Sequence, residues 1–526
     1  MGRLRQIAAA VAALVVLVAV FLARTSQSTE DEFIPTPTIP GRNGTVLFII
    51  NTEYGLSNVH LATTSALLEK HPGIEVHVAS FPQSASKVAK LSALAQKRYK
   101  VDRGVQFHEL PGRYYAQALS NQMGGVGGKS VQHLLHPPGI KGIEEIMRVI
   151  RPAISPWDGT DHIEIYEKVR ELIGTIDPAL VVLDMAFRPA IDAAIRSDRL
   201  YTYLSPNVLA DTFWFEQPLQ TMITKIPRIG LDSPSPLPWQ KIPENFYFTW
   251  RFIYGVIAAG DFNGTKAKLE AHGIKNSLHI KRPRDRPWMS QDMPGASIAL
   301  DVMPPNVTSA GPIVFEAEPA IEHDPELVAW LAKAPTVLVN LGSLFIYSEH
   351  HATTMALALE EILAKTDVQV LWKMSYAEDV PDDYTLPAQN IIKQGRLRVT
   401  NWLTVTPASL LDTGHIVASV HHGGANCYHE AIAAGVPQVV LPAWLDCYNY
   451  AQLAEDIGVG VYANRHSAPY WTVDGLRDSF LRVLDGKEEG RQMKEKAERL
   501  GETARKDPGR YVVAREIARL AASGHA

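Results

Sequence analysis

Two kinds of block recur along the chain: unbroken apolar runs of strand length, and longer stretches with apolar residues every three or four positions. The run from Thr45 to Ile50 (TVLFII) is apolar at consecutive positions. That is the mark of a strand covered on both faces rather than half-solvated. A loop from Asn51 to Leu56 follows, then a helix expected from near Ser57 towards Lys70, then a second strand from Val76 to Ser80. Further strands of this half are expected at Leu180 to Asp184 and Tyr201 to Leu204. Between about Leu209 and Arg286 the pattern is irregular and rich in aromatics and proline. Pro304, Pro305, Pro312, Pro319 and Pro325 mark the stretch up to Pro335 as a connection. A second series then begins, with strands at Thr336 to Leu341, Val368 to Trp372, Leu397 to Thr400, Ile416 to Val420 and Gln438 to Leu441. Helices are expected between them, including His351 to Lys365 and Ala425 to Ala434. The end, Lys487 to Ala521, is charged and helical with a break at Pro508. Strand and helix alternation of this kind predicts α/β domains with parallel sheets and right-handed crossovers.

The first residues follow a different rule. Arg3 and Arg5 precede an uninterrupted apolar run from Ile7 to Ala23, and Arg24 follows it. Such a run is at the lower limit for crossing a bilayer, and Phe21-Leu22-Ala23 is a poor cleavage site. Residues 1–24 therefore read as an uncleaved signal anchor. The positive-inside rule puts the body of the chain in the lumen of the endoplasmic reticulum or secretory pathway, with secretion after cleavage as the alternative. Residues 25–42 are polar and Pro-rich and read as a linker. Asn-x-Thr sequons stand at Asn43, Asn263 and Asn306. The expected organisation is an N-terminal domain over 43–310, an inter-domain segment over 311–335, a C-terminal domain over 336–490, and terminal helices over 491–526 packing back on the N-terminal domain.

Length and composition narrow the function classes. The chain has 526 residues, 46% hydrophobic and 20% charged, which is globular and too long for one core. Net charge is −5 without a basic stripe, so nucleic acid is not the expected partner. The cysteines are Cys427 and Cys447; they exclude a Cys-rich metal cluster and a disulfide framework, and both are read as free thiols.

The densest chemistry lies between Asn401 and Gly460. A buried strand (IVASV) runs into His421-His422-Gly423-Gly424-Ala425-Asn426, where a helix begins. Paired glycines let backbone approach a ligand. Exposed amides and the dipole at a helix N-terminus favour an anion such as a diphosphate. His422 and Asn426 add side-chain donors there, and Glu430, about one turn further, suits two ribose hydroxyls. Gly435-Val436-Pro437 ends the helix, and the next strand delivers Trp444 and Asp446 to a strand's carboxyl edge, where open α/β sheets bind ligands. Trp402 follows an earlier strand and offers a ring for a base to stack on.

This block resembles the signature of the family 1 UDP-glycosyltransferases, which include animal glucuronosyltransferases and plant glucosyltransferases; the wording HHGGAN…E…GVP…P.W.DC is most similar to fungal members. The likeness extends to Pro304-Pro305-Asn306-Val307, Gly311-Pro312, Asp324-Pro325-Glu326-Leu327, Trp330-Leu331 and Asn340-Leu341-Gly342-Ser343. It implies a GT-B fold of two facing Rossmann-like, doubly wound domains, here behind an N-terminal anchor helix. It also implies inverting transfer of a hexose, most simply glucose, from a UDP-sugar to a hydroxyl of a small lipophilic acceptor. Neither cofactor nor metal is implied, and the chain has no Asp-x-Asp pair. By position the resemblance gives uracil stacking to Trp402; diphosphate contacts to Ser343, His422, Gly424 and Asn426, with Cys427 beside them; ribose to Glu430; and sugar hydroxyls to Trp444 and Asp446. Four positions depart from it: Cys427 replaces a serine, Cys447 a glutamine, and Thr404-Val405 a Pro-Gln. The identity of the sugar is left open by these changes.

Inverting transfer needs a base for the acceptor proton, and a histidine backed by an aspartate suits neutral pH. In the resembled family that histidine follows the first strand, at the place of Leu56 here. His60, one helical turn on, is the candidate base, and Asp184, ending the strand LVVLD, its support. Phe213-Trp214-Phe215 and Tyr247 to Tyr254 could line an apolar acceptor cleft, rest on a membrane or fill a core. Gly124 to Ser130 imitates a phosphate loop but has Met123 where that motif needs glycine, and reads as a loop. Two alternatives keep the fold: a nucleotide-sugar epimerase or hydrolase, and a catalytically impaired nucleotide-sugar-binding protein.

Overall fold

The computed structural model describes residues 38–123, 134–255, 265–275, 283, 285–316, 318–375 and 388–525. The expected anchor over 1–24, nearly all of the linker, the sequon at Asn263 and the loop from Gly124 to Ser130 lie outside the described residues. Among the described residues no helix is long and apolar enough to cross a membrane.

Strands β1 (Arg42–Ile49), β2 (Glu75–Ser80), β3 (Gln106–Glu109), β4 (Pro178–Asp184), β5 (Tyr201–Ser205), β6 (Trp288–Ser290) and β7 (Val307–Ser309) form one sheet in the order β3-β2-β1-β4-β5-β6-β7. Strands β8 (Thr336–Asn340), β9 (Gln369–Lys373), β10 (Leu397–Thr400), β11 (Ile416–His421), β12 (Gln438–Val440) and β13 (Gly460–Tyr462) form a second, ordered β10-β9-β8-β11-β12-β13. Every pairing is parallel. The continuous apolar runs follow from cover on both faces. In β1, Val46 and Phe48 join one core and Leu47 and Ile49 the other. In β8, Val337 and Val339 face one core while Leu338 faces another.

Four strands escape the sequence reading: β3 is polar and at an edge, and β6, β7 and β13 are three residues each. They are too short for any periodicity. The irregular stretch holds the short helices Leu209–Thr212 and Leu219–Thr224 and the helix Ile242–Ile253. The proline-marked connection supplies β7 and then two helices, Ala320–His323 and Pro325–Leu331, which pack under β8 and β9 through Leu327, Trp330 and Leu331.

The domains meet over a shared apolar cluster. Val208, Trp214, Met222 and Met293 from the first pack against Tyr428, Tyr448 and Tyr450 from the second. The terminal helices divide between them. Glu488–Lys506 lies on the second domain, where a side chain at Gly501 would meet Gly435 Cα at 2.7 Å. Gly509–Ala521 returns to the first, burying Val513, Ala514 and Ile517 beside Val46 and Phe48.

Candidate functional site

Strand order reverses between β8 and β11 in the second sheet and between β1 and β4 in the first. Loops leaving neighbouring strands diverge at such a point and open a crevice at the carboxyl edge. The loop after β11 carries His421 to Gly424 into the helix Ala425–Ala434. Gly423 has φ +85° and passes so close to the Cys447 carbonyl that a Cβ would stand 2.6 Å from it, so no other residue fits there. His421 fixes the turn: its Nδ1 accepts from the Gly423 amide at 3.0 Å, and its Nε2 donates to Gln438 Oε1 at 2.8 Å. Sequence reading overlooks this role and leaves the Gly423 amide free, whereas it is already bonded. The amides of the first helical turn remain.

His422 lies between two glycines. A Cβ on Gly342 would sit 2.7 Å from its ring and one on Gly424 2.5 Å, while the Trp444 ring is 5.4 Å away. Its Nδ1 has no hydrogen-bond partner, and burial pushes the imidazole down to about 3, so it is neutral. Lys373, at the end of β9, is buried; its Nζ donates to the Gly342 carbonyl at 2.6 Å and lies 4.7 Å from the Trp402 ring centre. No described carboxylate pairs with it, and burial lowers its pKa. A lysine ending a central parallel strand is a signal that the strand-edge rule could have caught. Ser343 is exposed on the loop after β8. Trp402, 54% exposed, leans towards Tyr54 of the first domain at 6.2 Å. Glu430 accepts no hydrogen bond from the described residues, and burial raises its carboxyl to about 7. The Cys427 and Cys447 thiols are unpaired and pushed up by burial.

Three of the donor-side candidates are engaged within the protein. The Asn426 side chain does not point at an anion site: its Nδ2 donates to the Tyr54 and Gly55 carbonyls at 3.0 and 3.3 Å, and its Oδ1 accepts from Gln291 at 3.0 Å. It ties the helix to the first domain, and only its backbone amide faces the turn. Trp444 is 7% exposed and stacks on Phe345 at 6.0 Å, so most of its ring is core. Asp446 is half-buried and accepts from Asn207 Nδ2 at 3.1 Å across the crevice. Its neighbour Leu445 has φ +39°, a strained value for a branched residue. His136 of the first domain holds that strain, accepting the Leu445 amide on Nε2 at 2.9 Å and donating from Nδ1 to the Pro137 carbonyl.

On the opposite wall the expected His60–Asp184 pair does not form. The helix begins at Tyr54, not near Ser57, and the face it packs on the sheet includes His60, which lies edge-on against Phe48. His60 is fully buried; burial drops it to about 3, opposed only by the Leu204 backbone. Asp184 is buried too. It accepts from the Asn51 amide (3.3 Å), Asn51 Nδ2 (3.0 Å) and the Ala186 amide (2.8 Å). Burial raises its pKa against those bonds. The aromatic clusters are structural: Phe213 packs on Trp288, and Trp214 and Phe252 sandwich the buried Arg228 at 4.1 Å each. Tyr247, Trp250 and Tyr254 form a ladder whose end is exposed. Glu53 and Tyr115, which sequence reading passes over, stand beside Asp184.

Residues 384–520 match the family model described as erythromycin biosynthesis protein CIII-like, C-terminal domain. The chain is 33% identical over 466 residues to the glycosyltransferase sdnJ of Sordaria araneosa, covering 85% of this chain and 88% of that protein. Among solved structures it is similar to a UDP-glucosyltransferase from Polygonum tinctorium capable of glucosylating indoxyl (TM-score 0.60, 16% identity, 91% of this chain and 99% of that one). A second likeness is to Phytolacca americana UGT2 complexed with UDP-2fluoro-glucose and pterostilbene (TM-score 0.59, 15% identity, 91% and 99%). At such identities the structural likenesses establish the fold.

Proposed function

The chain belongs to the family 1 UDP-glycosyltransferases, and from that premise we propose that it transfers a hexose, glucose in the simplest case, from a UDP-sugar to a hydroxyl of a small lipophilic acceptor, with inversion and without a metal. The observation that carries the donor half is the helix Ala425–Ala434: its N-terminus opens on the crevice with the neutral His422 and the unpaired cation Lys373 beside it. A diphosphate there receives helix amides and one buried positive charge, which is the neutralisation a divalent ion would otherwise supply. Ser343 and the backbone of Gly424 and Asn426 complete that cradle. Trp402 stacks the uracil and Glu430, ionised, accepts both ribose hydroxyls; its isolation from protein donors supports this role. Asp446 holds sugar hydroxyls at the mouth, oriented through Asn207. Trp444 contributes an edge.

Support for a lipophilic acceptor comes from half-buried Tyr114, Tyr115, Met123 and Met185 at the margins of the cores on the opposing wall, with half-buried Leu445 on the donor side. Membrane association and a lumenal site belong to the same proposal and rest on residues 1–24 alone. Calorimetric titration with UDP, followed by UDP release from UDP-glucose with and without a phenol or sterol, tests the reading. It predicts binding, lost on Glu430→Ala, and acceptor-stimulated release. Release equal in water and with every acceptor would favour a hydrolase instead, and absence of UDP binding would end the proposal.

A further inference from the structure

The donor half leaves the acceptor proton unassigned. His60 is sealed under its helix, and Asp184 already accepts three N–H groups. The Tyr115 hydroxyl donates to the Ala153 carbonyl at 2.6 Å. Glu53 is different. Its Oε1 accepts from the Ala116 amide at 2.7 Å, but its buried Oε2 has no partner. A lone carboxylate oxygen withdrawn from water is costly, and a hydroxyl donor brought by a ligand relieves it. The residue is also fixed. It is the N-cap of the helix Tyr54–Lys70, its carbonyl accepting from Leu56 at 3.0 Å and Ser57 at 2.8 Å. The next two carbonyls, Tyr54 and Gly55, are held by Asn426 on the helix that opens at the donor cradle. Glu53 is thereby indexed to the donor.

We propose that Glu53 is the catalytic base, taking the acceptor proton on Oε2 in place of a histidine. This rests on the UDP-sugar reading above. In the step, the acceptor O–H proton passes to Oε2 and the oxygen forms a bond to the anomeric carbon. The bond from that carbon to the diphosphate oxygen breaks with its electrons, releasing UDP, and Glu53 returns its proton to water. Asp184 is a positioning residue: it holds Asn51 two residues before Glu53 and, as a neighbouring negative charge, favours proton uptake. Burial raises the Glu53 carboxyl and Asp184 adds to it, while the Ala116 amide, its own backbone amide and the Thr52 side chain oppose the rise. The other groups facing it are Lys87, whose Nζ donates to the Thr52 carbonyl at 2.9 Å, and Tyr115; Arg188 and Asp446 act on Tyr115 from further off.

The experiment compares the full-length wild type, Glu53→Gln and Glu53→Ala. UDP affinity is measured by calorimetry, and UDP release from UDP-glucose with 4-nitrophenol and with cyclohexanol. Glutamine keeps an oxygen for Ala116, so UDP affinity should be unchanged while kcat falls by about 10²- to 10⁴-fold. The fall should be larger with cyclohexanol, because a nitrophenol hydroxyl is acidic enough to need little help. The wild-type rate should decline as pH drops through the carboxyl's titration, a limb that Glu53→Gln lacks, and formate should restore part of the Glu53→Ala rate. Wild-type kcat in Glu53→Gln, or an equal loss with both acceptors, overturns the assignment while leaving the donor reading intact. Failure of the wild type to bind UDP overturns the reading beneath it.

Discussion

Gly424→Ala isolates the role of His422. Gly424 has φ −67° and ψ 144°, values alanine adopts freely, so backbone strain is not at issue. The new methyl would stand 2.5 Å from Nε2 and 2.7 Å from Cε1 of His422. Comfortable contact is about 3.5–4.0 Å, so the ring must withdraw by roughly 1 Å. The Gly342 backbone crowds the same ring, a Cβ there standing 2.7 Å from Cε1, so little room is left for it to move. Overpacking of this kind costs about 1–3 kcal/mol. Losing the histidine's hydrogen bond to a charged diphosphate costs roughly 1.5–3 kcal/mol, which is about 10- to 100-fold in the Kd for UDP. Calorimetry on the wild type, Gly424→Ala, His422→Ala and the double variant measures both. The methyl should weaken UDP binding by that factor in the wild type and by less than about threefold once the ring is gone. Should Gly424→Ala cost as much without the imidazole, the methyl acts on the helix start itself and the account of His422 is wrong.

Glu430, raised to about 7 by burial, carries a signed pH effect. Between the ordinary carboxylate range and about pH 7 the folded chain holds a proton that the unfolded chain has lost, so the ligand-free protein loses stability as pH rises through that window. Glu430→Gln should flatten this slope in chemical denaturation. UDP-glucose, which has no titration of its own there, should bind the wild type more tightly as pH rises and the variant equally throughout; an unchanged wild-type Kd removes Glu430 from the ribose. Lys373→Met removes a buried cation without a described partner, so it should leave ligand-free melting unchanged or raised while weakening UDP binding by roughly tenfold or more; tight binding in the variant would discard the cation's role. His136→Ala frees the strained Leu445 and should lower kcat at unchanged UDP affinity, an effect that normal turnover would refute.

What the sequence revealed follows the range of the interactions that decide each feature. The helix over Ala425–Ala434 and the break at Pro508 are set by neighbours, a Gly-Gly start, a Gly-Val-Pro stop and a missing amide hydrogen, and they fall where expected. The strand, turn and helix that carry the donor-side candidates were legible because they are contiguous. The other wall was not. Whether His60 faces the crevice depends on which face of its helix is laid on the sheet, a tertiary choice that puts His60 against Phe48. Asn426 looked free because its partners, Tyr54, Gly55 and Gln291, are more than a hundred residues away. Asn207 and His136 matter only through contacts with Asp446 and Leu445 that no local pattern encodes.

The split of the terminal helices has a mechanical consequence. The polypeptide passes between the halves twice, once along the segment leading into β8 and once at Asp507–Pro508. Gly509 lies against the carbonyls of Ala310, Gly311 and Pro312, so the two crossings run side by side. A pair of neighbouring straps constrains a swivel of one half on the other more than a single tether does, and so helps keep the two walls of the crevice in register.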